Sequence, residues 1–201
     1  MRPKLLLATN NRAKVREYRS LLQDLPYDLV TPAELGITGK VDEVGGSLEE
    51  NARLKATFFA GKSHLLSLAD DSGLEVDALG GKPGPLSARY AGEGASDKER
   101  IDYLLLRLKG VPWEKRTARF RCVIALATPE GKVELFSGER RGFIIFEPRG
   151  EQGFGYDPVF YLPELDKTMA ELLLEAKNRI SHRGQAARKA FQALVELSSS
   201  K

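Results

Sequence analysis

The chain has 201 residues, long enough to bury a sizeable core as one large domain or two closely joined lobes. Its 31 Lys and Arg against 28 Asp and Glu leave a net charge of +3, too little for a coat that wraps nucleic acid, and no apolar run approaches the roughly 18 residues of a membrane span. A single cysteine, Cys122, excludes an intrachain disulfide and a thiolate zinc cluster, which points to a reducing cytoplasm.

Lys4 to Ala8 reads as a strand that ends at Thr9-Asn10-Asn11 and feeds a helix over Lys14 to Leu22. A strand at Tyr27 to Thr31 follows, then a helix from Leu48 to Leu66 capped by Ser47 with Glu50 three residues on. Leu66 to Ala69 reads as a buried strand entering a turn at Asp70-Asp71, with a further strand over Leu74 to Leu79. Gly80-Gly81-Lys82-Pro83-Gly84-Pro85 is a rigid loop with no regular structure. A helix runs from Ser96 to Leu108, again with a cap and its partner, Ser96 and Glu99. Thr117 to Thr128 and Lys132 to Phe146 form a hairpin about Pro129-Glu130-Gly131, in which Cys122 is a buried strand residue. A strand at Val159 to Tyr161 and helices over Met169 to Lys177 and Arg183 to Leu197 complete an α/β chain with a β-rich second lobe.

Four segments carry chemistry. Asp70-Asp71-Ser72-Gly73 puts two carboxylates side by side; both ionised, they repel, which suits a hard cation or a proton between them, although alone the tetrapeptide also reads as a solvated turn. Thr9-Asn10-Asn11-Arg12-Ala13-Lys14 opens a helix and reads either as a phosphate cradle or as an ordinary capped helix start. Gly153-Phe154-Gly155-Tyr156-Asp157-Pro158 combines backbone freedom, stacking rings and an acid, the chemistry of nucleobase reading, or else is a glycine turn with an aromatic tucked inward. Lys177-Asn178-Arg179-Ile180-Ser181-His182-Arg183 concentrates cations at a helix start, where the macrodipole disfavours them unless an anion is bound. Asn51 and Lys55 share one helical face, and Arg116, Arg119, Arg121, Arg140 and Arg141 fall on hairpin strands as a solvated sheet face.

Together these segments resemble the Ham1/RdgB-type inosine triphosphate pyrophosphatase family, the non-canonical purine NTP (dITP/XTP) diphosphatases, over residues 5 to 189. The resemblance rests on Thr9-Asn10-Asn11-x-x-Lys14, on Glu43 ahead of Glu50-Asn51-Ala52-x-x-Lys55, on Ala69-Asp70-Asp71-Ser72-Gly73-Leu74 and on Pro83-Gly84-x-x-Ser87-Ala88-Arg89-Tyr90. Phe154-Gly155-Tyr156-Asp157-Pro158 and Ser181-His182-Arg183-Gly184 complete it, in family order. It departs at Asn10, where many members carry glycine, and at Leu48, where phenylalanine is frequent.

The resemblance implies a mixed central β-sheet flanked by helices, two lobes with a substrate cleft between them, and a cytoplasmic homodimer. Thr9, Asn10, Asn11, Arg12, Ala13 and Lys14 would hold the phosphates. Glu43 and Asp71 would organise Mg²⁺, with Glu43 chosen over Asp42 from its register to Asn51, and Asp71 would accept the proton of the attacking water. Lys14, Lys55 and Arg183 would neutralise the leaving group. Ser72 would help bind substrate, Phe154, Gly155, Tyr156 and Asp157 would pack on base and sugar, and Lys177, His182 and Arg183 would bind base and phosphate. The implied partner is a purine nucleoside triphosphate, not nucleic acid or membrane. A non-catalytic nucleotide binder and a septum-formation-type pyrimidine NTP pyrophosphatase are the competing readings.

Overall fold

The structure is a computed structural model that describes residues 2–39, 41 and 46–199. Among the described residues, eight strands, β1 (Lys4–Leu7), β2 (Asp28–Val30), β3 (Leu66–Val76), β4 (Pro83–Gly84), β5 (Thr117–Ala127), β6 (Val133–Ile144), β7 (Phe160–Leu162) and β8 (Lys167–Thr168), form a mixed sheet of order β2-β1-β3-β5-β6-β7-β8, with β4 on β3. β1 pairs in parallel with β2 and β3, whereas β3–β4, β6–β7 and β7–β8 are antiparallel. The helices are α1 (Arg12–Leu21), α2 (Leu48–Ser63), α3 (Asp97–Arg107), α4 (Leu174–Ile180) and α5 (His182–Ser199). Among the described residues, no helix is long and apolar enough to cross a membrane.

Two compact units emerge. The first comprises Met1–Asp71, Cys122–Gly138 and Arg183–Lys201. The pleat of β1 turns alternate leucines to opposite faces: Leu5 and Leu7 pack with Tyr18 of α1, with Leu22 just past its end and with Ala186, Ala190 and Leu194 of α5, while Leu6 packs with Ala52, Ala56 and Phe59 of α2. The second unit comprises Ser72–Arg121 and Glu139–His182; its core joins Leu74, Val76, Phe120, Ile144 and Phe160 to Ile101 and Leu104 of α3.

The capped helices start where local chemistry places them. Ser47 Oγ accepts from the Glu50 N–H at 3.2 Å, and Ser96 and Glu99 form a complete capping box. Several expectations change. Asp70-Asp71 is not a turn: β3 runs unbroken from Leu66 to Val76, and both acids are buried strand residues. Pro83–Gly84 is not wholly irregular, since it pairs with Leu74 and Glu75. The helix expected over Met169 to Lys177 begins only at Leu174; Met169–Glu171 is a single 3₁₀ turn closed by Glu171 bonding back to Thr168, and Leu172 is extended beyond it. Of the arginines expected on a solvated sheet face, Arg116 is instead buried and donates to the carbonyls of Leu108, Ile144 and Ile145, whereas Arg119 and Arg121 pair with Glu75 and Arg140 with Glu164.

Candidate active site

In the first unit, the alternating pleat of β3 sends the adjacent acids Asp70 and Asp71 to opposite faces of the strand. Each has its own ammonium group. Lys14 Nζ lies 2.9 Å from Asp70 Oδ2, on the α1 side, and Lys55 Nζ lies 3.0 Å from Asp71 Oδ1, on the α2 side. Asn51 Nδ2 donates to the other Asp71 oxygen at 3.0 Å, so the i, i+4 pair of α2 grips one carboxylate from both ends.

Asp70 is tied more deeply. Arg183, at the start of α5, reaches Asp70 Oδ2 at 3.5 Å and Glu17 Oε2 at 2.7 Å, and the Cys122 thiol stands 3.9 Å from the same Asp70 oxygen. Burial opposes the charge on Asp70, but Lys14, Arg183 and Lys55 together outweigh it and hold the carboxyl well below the usual carboxylate range. Beside it, Asn11 is the N-cap of α1: its Oδ1 accepts from the N–H groups of Ala13 and Lys14 at 2.9 and 3.2 Å, and Thr9 Oγ1 accepts from the Asn11 N–H at 3.2 Å. Asn10 and Arg12 are exposed at this turn. Glu43, together with Asp42, lies outside the described residues.

In the second unit, Asp157 Oδ2 accepts from the Phe154 N–H at 2.8 Å and from Lys177 Nζ at 2.5 Å, and that ammonium sits 5.0 Å from the centre of the Phe154 ring. Tyr156 is buried, with its hydroxyl donating to the Ser87 carbonyl at 2.8 Å, and Ser87 Oγ accepts from the Leu74 N–H, two residues after the half-buried Ser72. His182 is buried and stacks on Phe120 at 4.7 Å. Gly153 is required twice over: its φ is +77°, and a Cβ there would collide with Asp157 Oδ2. Gly153→Ala is therefore expected to displace Asp157 from Phe154 and Lys177, at a stability cost of about 1–3 kcal/mol. Thermal unfolding of the purified variant checks this; an unchanged midpoint would mean that the loop relaxes freely.

Thus Lys14 meets Asp70, Lys55 meets Asp71, Phe154, Asp157 and Lys177 meet one another, and Arg183 joins Asp70. Glu17 and Asn51 are participants to which the sequence assigns no site role. Glu17 looks like a solvated helical acid until α5 delivers Arg183 to it, 166 residues on, so no local signal reveals it. Asn51, by contrast, is detectable from its spacing to Lys55.

The model of the Ham1 family matches residues 5–193. The chain belongs to the Ham1 family. Among its relatives, the dITP/XTP pyrophosphatase of Bacillus subtilis is 47% identical over 189 residues, 94% of this chain and 96% of the relative. That of Geobacter sulfurreducens is 52% identical over 183 residues, 91% and 92% of the two chains. The solved structure of a Ham1 protein from Coxiella burnetii superposes with a TM-score of 0.88 at 41% identity, covering 96% of this chain and 99% of that one. The α/β architecture described above is therefore that of the Ham1 family.

Proposed function

We propose that this chain hydrolyses non-canonical purine nucleoside triphosphates, dITP and ITP, XTP and dXTP, to the monophosphate and pyrophosphate. The relatives named dITP/XTP pyrophosphatase support the reaction class. The observation that carries it is the pairing of each buried acid of β3 with its own lysine. Such pairs suit a site that alternates between rest and an arriving polyanion: the lysines can turn to phosphate oxygens and free carboxylate oxygen for a cation.

The donor chemistry fits Mg²⁺. Asp71 offers hard oxygen, and the Lys55 ammonium 3.0 Å away already places one positive charge against it. Among the described residues no group of three or more His, Cys, Asp or Glu side chains converges, so an ion on Asp71 would complete its shell with water, substrate phosphate and Glu43, the second ligand in this reading. Bound there, Mg²⁺ would withdraw charge from the triphosphate and acidify a water.

The remaining work falls to the chain. Asp70, committed to Lys14 and Arg183, is the fixed anion that orders the cations; Asp71 accepts the proton as water attacks the α-phosphorus and the α–β anhydride breaks. Thr9, Asn10, Asn11, Arg12, Ala13 and Lys14 take the phosphates, and Lys14, Lys55 and Arg183 balance the charge that develops on pyrophosphate. Ser72, Phe154, Gly155, Tyr156 and Asp157 take the sugar and base, with Lys177 and His182 on the base edge. A carbonyl at the purine six-position satisfies donors there that an adenine amino group leaves unpaired. A homodimer in the cytoplasm belongs to the same proposal.

Purified protein with Mg²⁺ is expected to release pyrophosphate, not orthophosphate, from dITP and XTP, and little from dGTP, dATP or dTTP. Chelation of the metal should stop turnover and added Mg²⁺ restore it. Preference for dTTP would favour the pyrimidine-directed reading, and binding without turnover a non-catalytic one.

A further inference from the structure

The loop from Gly153 to Asp157 is anchored at three successive residues, and the anchor of the middle one comes from α3, which has no role in the function proposed above. The Phe154 N–H is held by Asp157, the Tyr156 hydroxyl by the Ser87 carbonyl, and the Gly155 N–H donates to Asp97 Oδ2 at 2.6 Å. Asp97 is the first residue of α3, where an acid is favoured by the helix dipole alone. That explains an acid at this position but not its partner. The helix start is already served by the Ser96–Glu99 capping box, and the Asp97 carboxylate is committed elsewhere, one oxygen to Gly155 and the other to Arg100. Arg100 in turn donates to the Ala88 carbonyl at 2.6 Å, next to the Ser87 that holds Tyr156. One ion pair therefore joins the first turn of α3, the Ser87–Arg89 turn and the loop.

The loop needs such an anchor. Gly153 and Gly155 both have positive φ, +77° and +64°, so Phe154 stands between two residues whose backbones rotate with little steric resistance. An amide bonded to a carboxylate removes that freedom before substrate arrives, which is the entropic basis of preorganised recognition.

We propose that Asp97 is a positioning residue for purine recognition, fixing Gly155 so that Phe154 and Asp157 present one surface to the base; this rests on the reading of that loop as the base-binding element. The residues given to phosphate and proton transfer, Lys14, Lys55 and Asp71, belong to the first unit, whereas Asp97, Ser87 and the loop all belong to the second. The effect therefore falls on nucleotide binding and choice rather than on the chemical step.

In steady-state assays of pyrophosphate release, Asp97→Ala is expected to raise KM for dITP roughly tenfold, with kcat within about threefold of the unsubstituted chain, and to shrink the preference for dITP over dGTP. Asp97→Asn keeps an oxygen for the Gly155 N–H and is expected to recover most of both. Ser96→Ala weakens the same helix start without touching the loop and should keep the original KM and preference. Should Asp97→Ala not fold, Asp97→Glu carries the same prediction, because it retains the charge but sets the carboxylate one methylene farther out. An Asp97→Ala or Asp97→Glu enzyme with unaltered KM and preference overturns the proposal, as does a Ser96→Ala enzyme that loses as much. If the unsubstituted chain releases no pyrophosphate from dITP, the functional reading itself has failed and the role of Asp97 falls with it.

Discussion

Asp71→Asn is expected to lower kcat for pyrophosphate release from dITP by roughly 10³-fold, within the range of about 10²–10⁴ that a positioned general base supplies. The substitution is nearly isosteric. The asparagine side chain keeps an oxygen for Lys55, now 3.0 Å from Asp71 Oδ1, and a turn of the Asn51 amide offers an oxygen to the new NH₂ group. What disappears is the negative charge, and with it the proton acceptor and the hard ligand for a cation. Because Lys55 is partly buried and loses its counter-charge, a modest cost of about 1–3 kcal/mol accompanies the change, too small to unfold a chain of this size. Parallel measurement of kcat and of the thermal midpoint separates the two effects. A variant that folds and keeps turnover within tenfold of the original would remove Asp71 from the chemical step and transfer the proton to another group.

The parts of the fold that the sequence announces are those whose causes are local. Ser47 with Glu50 and Ser96 with Glu99 mark helix starts because cap and partner lie within one turn, and the apolar run from Cys122 to Ala127 marks a strand because six successive apolar residues suit a buried one. Asp70-Asp71 misleads for the opposite reason. Two acids before Ser-Gly have the local chemistry of a turn, and it takes partners from distant elements, Lys14 and Arg183 for Asp70 and Lys55 and Asn51 for Asp71, to make a buried strand tolerable. The same holds at Met169 to Lys177, where helical spacing continues past a point that Glu171 has already closed by bonding back to Thr168. In the site, Lys55 with Asn51 could be read from spacing, and the loop at Phe154 from its glycines and acid. Glu17 and Asp97 could not, because each is defined by a partner 166 or 58 residues away.

Arg183→Met is the substitution expected to cost most in stability, about 3–5 kcal/mol, the penalty for breaking a buried ion pair from one side. Side chains of Arg183 and Glu17 are each 2% exposed and meet at 2.7 Å. Burial disfavours the guanidinium charge, yet Glu17 and Asp70 outweigh it and raise its pKa well above the ordinary arginine value. Methionine fills much of the volume but takes from Glu17 its buried guanidinium partner, while Asp70 keeps Lys14. At roughly 2–4 °C per kcal/mol for a chain of this size, the thermal midpoint should fall by roughly 6–20 °C. Arg183→Lys should recover only part of the loss, since a compact ammonium cannot reach two carboxylates as a planar fork does. The decisive comparison is the pair Glu17→Gln with Arg183→Met. If the cost is the buried carboxylate that has lost its guanidinium, the double variant is more stable than Arg183→Met alone, because the second change removes that buried charge. If the double variant unfolds at the same temperature or lower, the loss lies in packing between α5 and its neighbours, and the arginine holds Asp70 in place by shape rather than by charge.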